Sequence, residues 1–179
     1  AGDMLLFHLA SAEFNRLADP TDRYLDLLAW CARNYATDFA DFIAHQAAVT
    51  ASWAKAVSAA KPAHVVLLSS VAAHLPEGTG PILTVRHAES VLGPLVANFT
   101  ALRPCYFLEN WGSALGALEH GVFPTFVTPD LRFAMIATRD IGLEAAKALV
   151  EGGHGRQVIE MAGPVDHTPA EVAAALGRL

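Results

Sequence analysis

The chain has 179 residues, 53% of them hydrophobic and 17% charged, with a formal net charge of −6. That is domain-sized, with material for a sizeable core, and it excludes intrinsic disorder. Twelve Lys+Arg against 18 Asp+Glu supply no basic stripe for nucleic acid, and no uncharged apolar run approaches the roughly 20 residues of a membrane helix.

The first third reads as helix. Leu5, Leu6, Leu9, Phe14 and Leu17 recur at helical spacing, and Asp19-Pro20-Thr21-Asp22 punctuates them with a turn and an N-cap signal. Tyr24, Leu25, Leu28, Cys31 and Ala32 continue the pattern. Phe42, Ile43, Gln46, Val49, Trp53 and Val57 then form the stripe of one helix face.

At Pro62 the pattern changes. His64-Val65-Val66-Leu67-Leu68-Ser69-Ser70 is a short apolar run of the kind that forms a parallel strand buried on both faces. A loop from Ala72 to Pro81 follows, then a helix over 82–96. Asn98 to Leu102 is a second strand, ending at Arg103-Pro104. Residues 105–120 read as loop and helix. Phe123 to Val127 and Leu131 to Ala137 are candidate strands. Asp140 caps a helix that runs to Glu151, and Gly152-Gly153 stops it. Gln157 to Met161 is the last strand, and Thr168-Pro169-Ala170-Glu171 is a capping box opening a final helix. The alternation predicts an α/β architecture with a mostly parallel sheet and a helical N-terminal third.

Ligands of open parallel sheets bind beyond the carboxyl ends of the strands. Here those ends are Ser69-Ser70 and Arg103-Pro104, and His74, Arg86, His87, Glu89, Tyr106, Glu109, Asn110 and Trp111 lie around them in sequence. A serine, a histidine and a carboxylate are the raw material of nucleophilic hydrolysis, here Ser70 with His87 (or His74) and Glu89 (or Glu109). The usual G-x-S-x-G elbow is absent: Gly112-Ser113-Ala114-Leu115-Gly116 has its serine one place early. Eight histidines and two distant cysteines make no metal-ligand spacing, so no metal is expected. Cysteine usage fits a reducing cytoplasm.

The ordered segments HVVLLSSVAAHLPEGTGPI (64–82), RHAESVL (86–92), LRPCYFLEN (102–110), ATRDIG (137–142) and VIEMAGP (158–164) resemble the NmrA-like, atypical short-chain dehydrogenase family. The resemblance is to its NAD(P)H-dependent quinone or azo-dye reductase branch and to NAD(P)-binding proteins of the nucleotide-sugar-epimerase type. It covers about residues 38–175, and divides the chain into a helical segment 1–37 and a partial Rossmann-like domain 38–179. It implies an NADP or NAD cofactor and a small-molecule substrate. Ser69, Ser70, Pro104, Tyr106 and Phe107 would lie by the nicotinamide and ribose. His87 would stand where a catalytic base or a ribose contact sits in relatives, while the hydrolytic reading makes Ser70, His87 and Glu89 the catalytic groups. His74, Glu109, Asn110 and Trp111 would line the substrate side.

Three departures stand beside the resemblance. There is no glycine between Gly2 and Gly78, hence no glycine-rich turn near the front to seat a pyrophosphate. The chain stops at Leu179, where relatives continue into a substrate region. The place of a Tyr-x-x-x-Lys pair reads Leu83-Thr84-Val85-Arg86-His87. The chain thus reads as the family shortened at both ends, its exposed sheet edge inviting a homo-oligomer. The family also includes redox-sensing regulators, so a non-catalytic binding module is a further reading.

Overall fold

A computed structural model describes residues 20–125 and 127–178, with side chains from Phe39 onward. The predicted helix before Pro20 lies outside the described residues. The fold divides into two compact units, residues 1–46 and 47–179, with the division inside the first described helix.

That helix, α1, spans Pro20–Ala60. In the first unit Phe39 and Phe42 stack with ring centroids 6.3 Å apart. The helix ends where Lys61 turns left-handed (φ 47) and donates its N–H to Val57 O at 2.8 Å; Pro62 then blocks continuation.

The second unit holds the remaining elements. In chain order they are β1 (Val65–Leu68), α2 (Ile82–Leu92), β2 (Phe99–Pro104), β3 (Tyr106–Phe107), a 3-10 turn (Leu108–Ala114), α3 (Leu115–Leu118), β4 (Phe133–Ile136), α4 (Thr138–Glu151), β5 (Arg156–Met161), β6 (Asp166–His167) and α5 (Pro169–Leu176). β1, β2 and β5 make a parallel sheet in that order, with Val65 opposite Phe99 and Phe99 opposite Arg156. A second small sheet has β3 parallel to β4 and β4 antiparallel to β6.

The alternation of side chains along β1 and β2 sends Leu67, Phe99 and Ala101 to one face, where they pack with Ala88 and Leu92 of α2 and with Ala54 and Val57 of α1. Burying each of the larger side chains contributes roughly 2 kcal/mol. Val66, Leu68 and Leu102 point to the other face, where α4 brings Ile141, Ala145 and Leu149. Helices on both faces of a parallel sheet are the doubly wound arrangement that the sequence predicts.

The starts of the strands are tied together by one side chain. Asn98 donates through Nδ2 to Ala63 O at 2.9 Å, and its Oδ1 accepts from Gly155 N at 2.9 Å.

Two sequence expectations are corrected. The described residues of the Phe123 to Val127 stretch form no strand: Pro124 offers no donor, and the Thr125 hydroxyl bonds locally to the N–H and carbonyl of Val127. Asp140 does not cap α4, which begins two residues earlier at Thr138. The pairings of β3 and β6 were not foreseen, because each strand has only two residues. The capping box is as predicted: the Thr168 hydroxyl accepts from Glu171 N at 3.1 Å, and a Glu171 carboxylate oxygen accepts from Thr168 N at 3.1 Å.

Trp53 and Val57 of the predicted apolar stripe part company: Val57 packs on the core, while Trp53 is half exposed. Among the described residues no helix is long and apolar enough to cross a membrane.

Candidate functional site

The carboxyl ends of β1 and β2 lie side by side. Their ladder runs past the strands, with Ser69 N donating to Leu102 O at 2.7 Å and Val71 N to Pro104 O at 3.0 Å. Side chains therefore keep alternating there. Ser69 falls on the α2 face with Leu67, and Ser70 on the α4 face with Leu68.

On the α2 face three polar side chains form one network. The Ser69 hydroxyl donates to Glu89 Oε1 at 2.5 Å. Arg103 donates to the same carboxylate twice, Nε to Oε1 at 2.9 Å and Nη2 to Oε2 at 2.7 Å. Both charged side chains are only 12% exposed. Burial pushes the Glu89 carboxyl upward, but the Arg103 bonds, the Ser69 hydroxyl and the charges of Arg103 and Arg156 outweigh it, and the group lies below the ordinary carboxylate value. Arg156 reaches from β5 to Glu89 O at 3.0 Å, its guanidinium 5.7 Å from the Phe99 ring centroid.

α2 also holds the loop after β1. Arg86 Nη1 donates to Ala73 O at 3.2 Å and to His74 O at 2.8 Å. Just before these attachments Ala72 adopts φ 65, a left-handed conformation that costs a non-glycine residue on the order of 1 kcal/mol.

On the α4 face lies an apolar cleft of about 290 Å³. Val66, Leu68, Leu102 and Phe107 form one wall; Thr138, Gly142, Ala145 and Leu149, successive positions on one face of α4, form the other. At its rim Glu109 accepts from Thr138 N at 3.0 Å and from the Thr138 hydroxyl at 2.7 Å. The carboxylate thus supplies the N-terminal cap that Ala137 cannot, and these bonds hold its pKa down.

Trp111 is 7% exposed and sits within an aromatic cluster. Its ring centroid is 5.4 Å from that of Tyr106 and 5.2 Å from that of Phe123, and its indole N–H donates to Met135 Sδ at 3.4 Å. Tyr106 packs edge-on to Phe133 at 5.5 Å, and burial pushes its hydroxyl pKa up despite the opposing effect of Asn110. Burial likewise raises the free Cys105 thiol.

The sequence candidates therefore fall into separate places. Ser69, Ser70, Pro104 and Glu89 gather at the strand ends, with Pro104 fully buried. Phe107 lines the cleft. Trp111 is a buried aromatic, with the half-buried Tyr106 packed against it. Glu109 caps α4, and the exposed Asn110 accepts from the Ser113 hydroxyl at its backbone carbonyl. His74 and His87 are exposed; their backbone carbonyls accept from Arg86 and Ser90. Among the described residues no hydrogen bond joins Ser70, His87 and Glu89.

The sequence reading placed Arg103 and Arg86 at the strand ends without naming their partners, and it did not single out Thr138. A glutamate on the preceding helix and an arginine at the strand end were the available signal for the first pairing. Among the described residues, no group of three or more His, Cys, Asp and Glu could hold a metal ion.

No protein-family model matches the chain. The chain is similar to Quinone oxidoreductase 2 of Escherichia coli (strain K12), 34% identical over 124 residues, which is 67% of this chain and 43% of that protein. In structure it resembles the Bordetella bronchiseptica enzyme WbmH in complex with NAD+, with a TM-score of 0.56 and 14% identity over 70% of this chain and 47% of the enzyme. The chain thus spans less than half the length of either relative. The fold is α/β and Rossmann-like.

Proposed function

We propose that this chain is part of a dinucleotide-binding fold, in a protein that transfers hydride between NAD(P)H and a quinone-like or azo substrate. The observation that carries the reading is the pair of parallel strand ends, Ser69-Ser70 and Arg103-Pro104, beside an apolar cleft. Similarity to a quinone oxidoreductase supports it.

Two residues would suit the nicotinamide end of such a cofactor, Phe107 in the cleft wall and Ser70 at the end of β1, on the same face of the strand as Leu68. The half-buried Ser70 has a hydroxyl that no hydrogen bond among the described residues engages, and Phe107 offers an apolar wall. The described residues do not fit its pyrophosphate end. No strand among the described residues leads directly through a G-x-G-x-x-G turn into a helix. Hydride transfer is the cofactor's chemistry; Ser70 would orient the ring and Phe107 would exclude water beside it.

A melt with and without NADPH tests this. At 100 times its dissociation constant a ligand adds roughly 2.7 kcal/mol of stability. A rise with NADPH or NADH supports the reading, and no rise with either sinks it.

We propose also that the protein self-associates. Among the described residues β1 is an edge strand of its sheet, with Leu68 50% exposed on it and Leu149 61% exposed on α4. Exposed apolar surface next to an unpaired strand edge favours pairing. A concentration-independent monomer mass in sedimentation would contradict it.

A further inference from the structure

Arg86 and Glu89 stand three residues apart on α2, so they project from one helix face. Both grip the same stretch of chain. Glu89 takes the Ser69 hydroxyl, and Arg86 takes the carbonyls of Ala73 and His74. Between the two grips the backbone carries a left-handed alanine, Ala72 at φ 65. Ser70 lies in that arc, and its side chain belongs to the opposite face of the strand from Ser69. A one-residue change of register at Ser69 would turn Ser70 away from the cleft side.

Stability alone does not explain the charged grip. An ion pair 12% exposed on both partners gives up most of its hydration, and apolar residues of similar volume often serve folding as well. What apolar residues cannot do is fix a hydroxyl at one point. Arg103 satisfies both carboxylate oxygens, which holds Glu89 still as an acceptor for Ser69.

We propose that Arg86 and Glu89 form a two-point clamp that sets the Ser69–His74 arc and so aims the Ser70 hydroxyl at the ligand side; Glu89 is a positioning residue acting through Ser69. The role of Ser70 toward a ligand rests on the oxidoreductase reading above. The clamp itself does not.

The test has two arms. The first is amide hydrogen exchange of the unliganded protein. Val71, Ala73 and Leu75 donate to Pro104, Ser70 and Ala72 and are the reporters. Ser69→Ala leaves the Glu89–Arg103 pair intact and is expected to speed exchange at these amides about tenfold, leaving α4 unchanged. Ser69→Thr keeps a hydroxyl and is expected to exchange as the parent does. Equal exchange in all three proteins overturns the clamp, as does faster exchange spread evenly over the chain. Should Ser69→Ala not fold, Arg86→Gln is expected to speed exchange at Ala73 and Leu75, and unchanged exchange there overturns the clamp.

The second arm is NADPH titration of Ser69→Ala, Ser70→Ala and the double variant. If Ser69 acts only through Ser70, the double variant binds no more weakly than Ser70→Ala. Multiplying losses overturn the positioning role. If the parent protein does not bind NADPH, the oxidoreductase reading fails, and the exchange arm alone decides the clamp.

Discussion

The Glu89 carboxylate lies between two strands, accepting from Ser69 of one and from Arg103 of the other, and so joins helix α2 to both strand ends at a single group. Removing either charged partner strands the other in a poorly hydrated place.

Arg103→Leu is therefore expected to destabilise the fold by about 3 kcal/mol, because Glu89 is left without its counter-ion. Urea unfolding at neutral pH measures it, and a loss below a few tenths would show that Glu89 finds another partner. The double change Glu89→Leu with Arg103→Leu should recover much of the loss.

The same pair sets an acid response. The Glu89 carboxyl is lowered in the folded state from its ordinary value of 4.5, so its contribution is fully present above that value. It is lost as pH falls through the lower folded value. Glu89→Gln should be less stable than the parent at neutral pH, with the gap closing on acidification. A gap independent of pH would contradict the assignment.

Gly163 is expected to resist substitution. A Cβ there would stand 2.4 Å from Met135 O, the acceptor of the Gly163 N–H bond at 2.9 Å. Backbone cannot yield as a side-chain tip can. Gly163→Ala should cost about 2 kcal/mol, read as a lower melting temperature.

Trp111 should report on the aromatic cluster. Trp111→Ala removes a buried indole packed on Tyr106 and Phe123, at a cost of about 3–5 kcal/mol. Trp111→Phe should fold and lose the blue-shifted contribution of a buried indole, with Trp30 and Trp53 still emitting.

Thr168→Ala deletes the hydroxyl that accepts from Glu171 N, and should cost about 1 kcal/mol. Thr168→Ser should restore it. Equal melting of the alanine and serine variants would show that the cap contributes nothing.

The elements most legible in the sequence are those whose signals are local. The run Val65 to Leu68, the helix ending at Gly152 (φ 74) and the box at Thr168 each carry their cause within a few residues. Glu89 and Arg103 illustrate the limit. Each was visible as a polar residue near a strand end, but their contact spans 14 positions and depends on a parallel register that residue types do not specify. Glu109 shows the same limit: as a lone carboxylate it suits catalysis, and only its nearness to Thr138 makes it a helix cap. The pairs β3–β4 and β4–β6 lack any periodic signature, since two residues make no alternation.

Cys105 alone separates β2 of the larger sheet from β3 of the smaller one, and its N–H still donates to Met161 O at 2.9 Å. Two residues beyond Met161, Gly163 donates to Met135 O of the smaller sheet, again at 2.9 Å. The joint between sheets is thus bolted on both sides by hydrogen bonds. A tilt of the smaller sheet would pull on the ends of β2 and β5, so the aromatic cluster and the rim of the cleft are expected to move together.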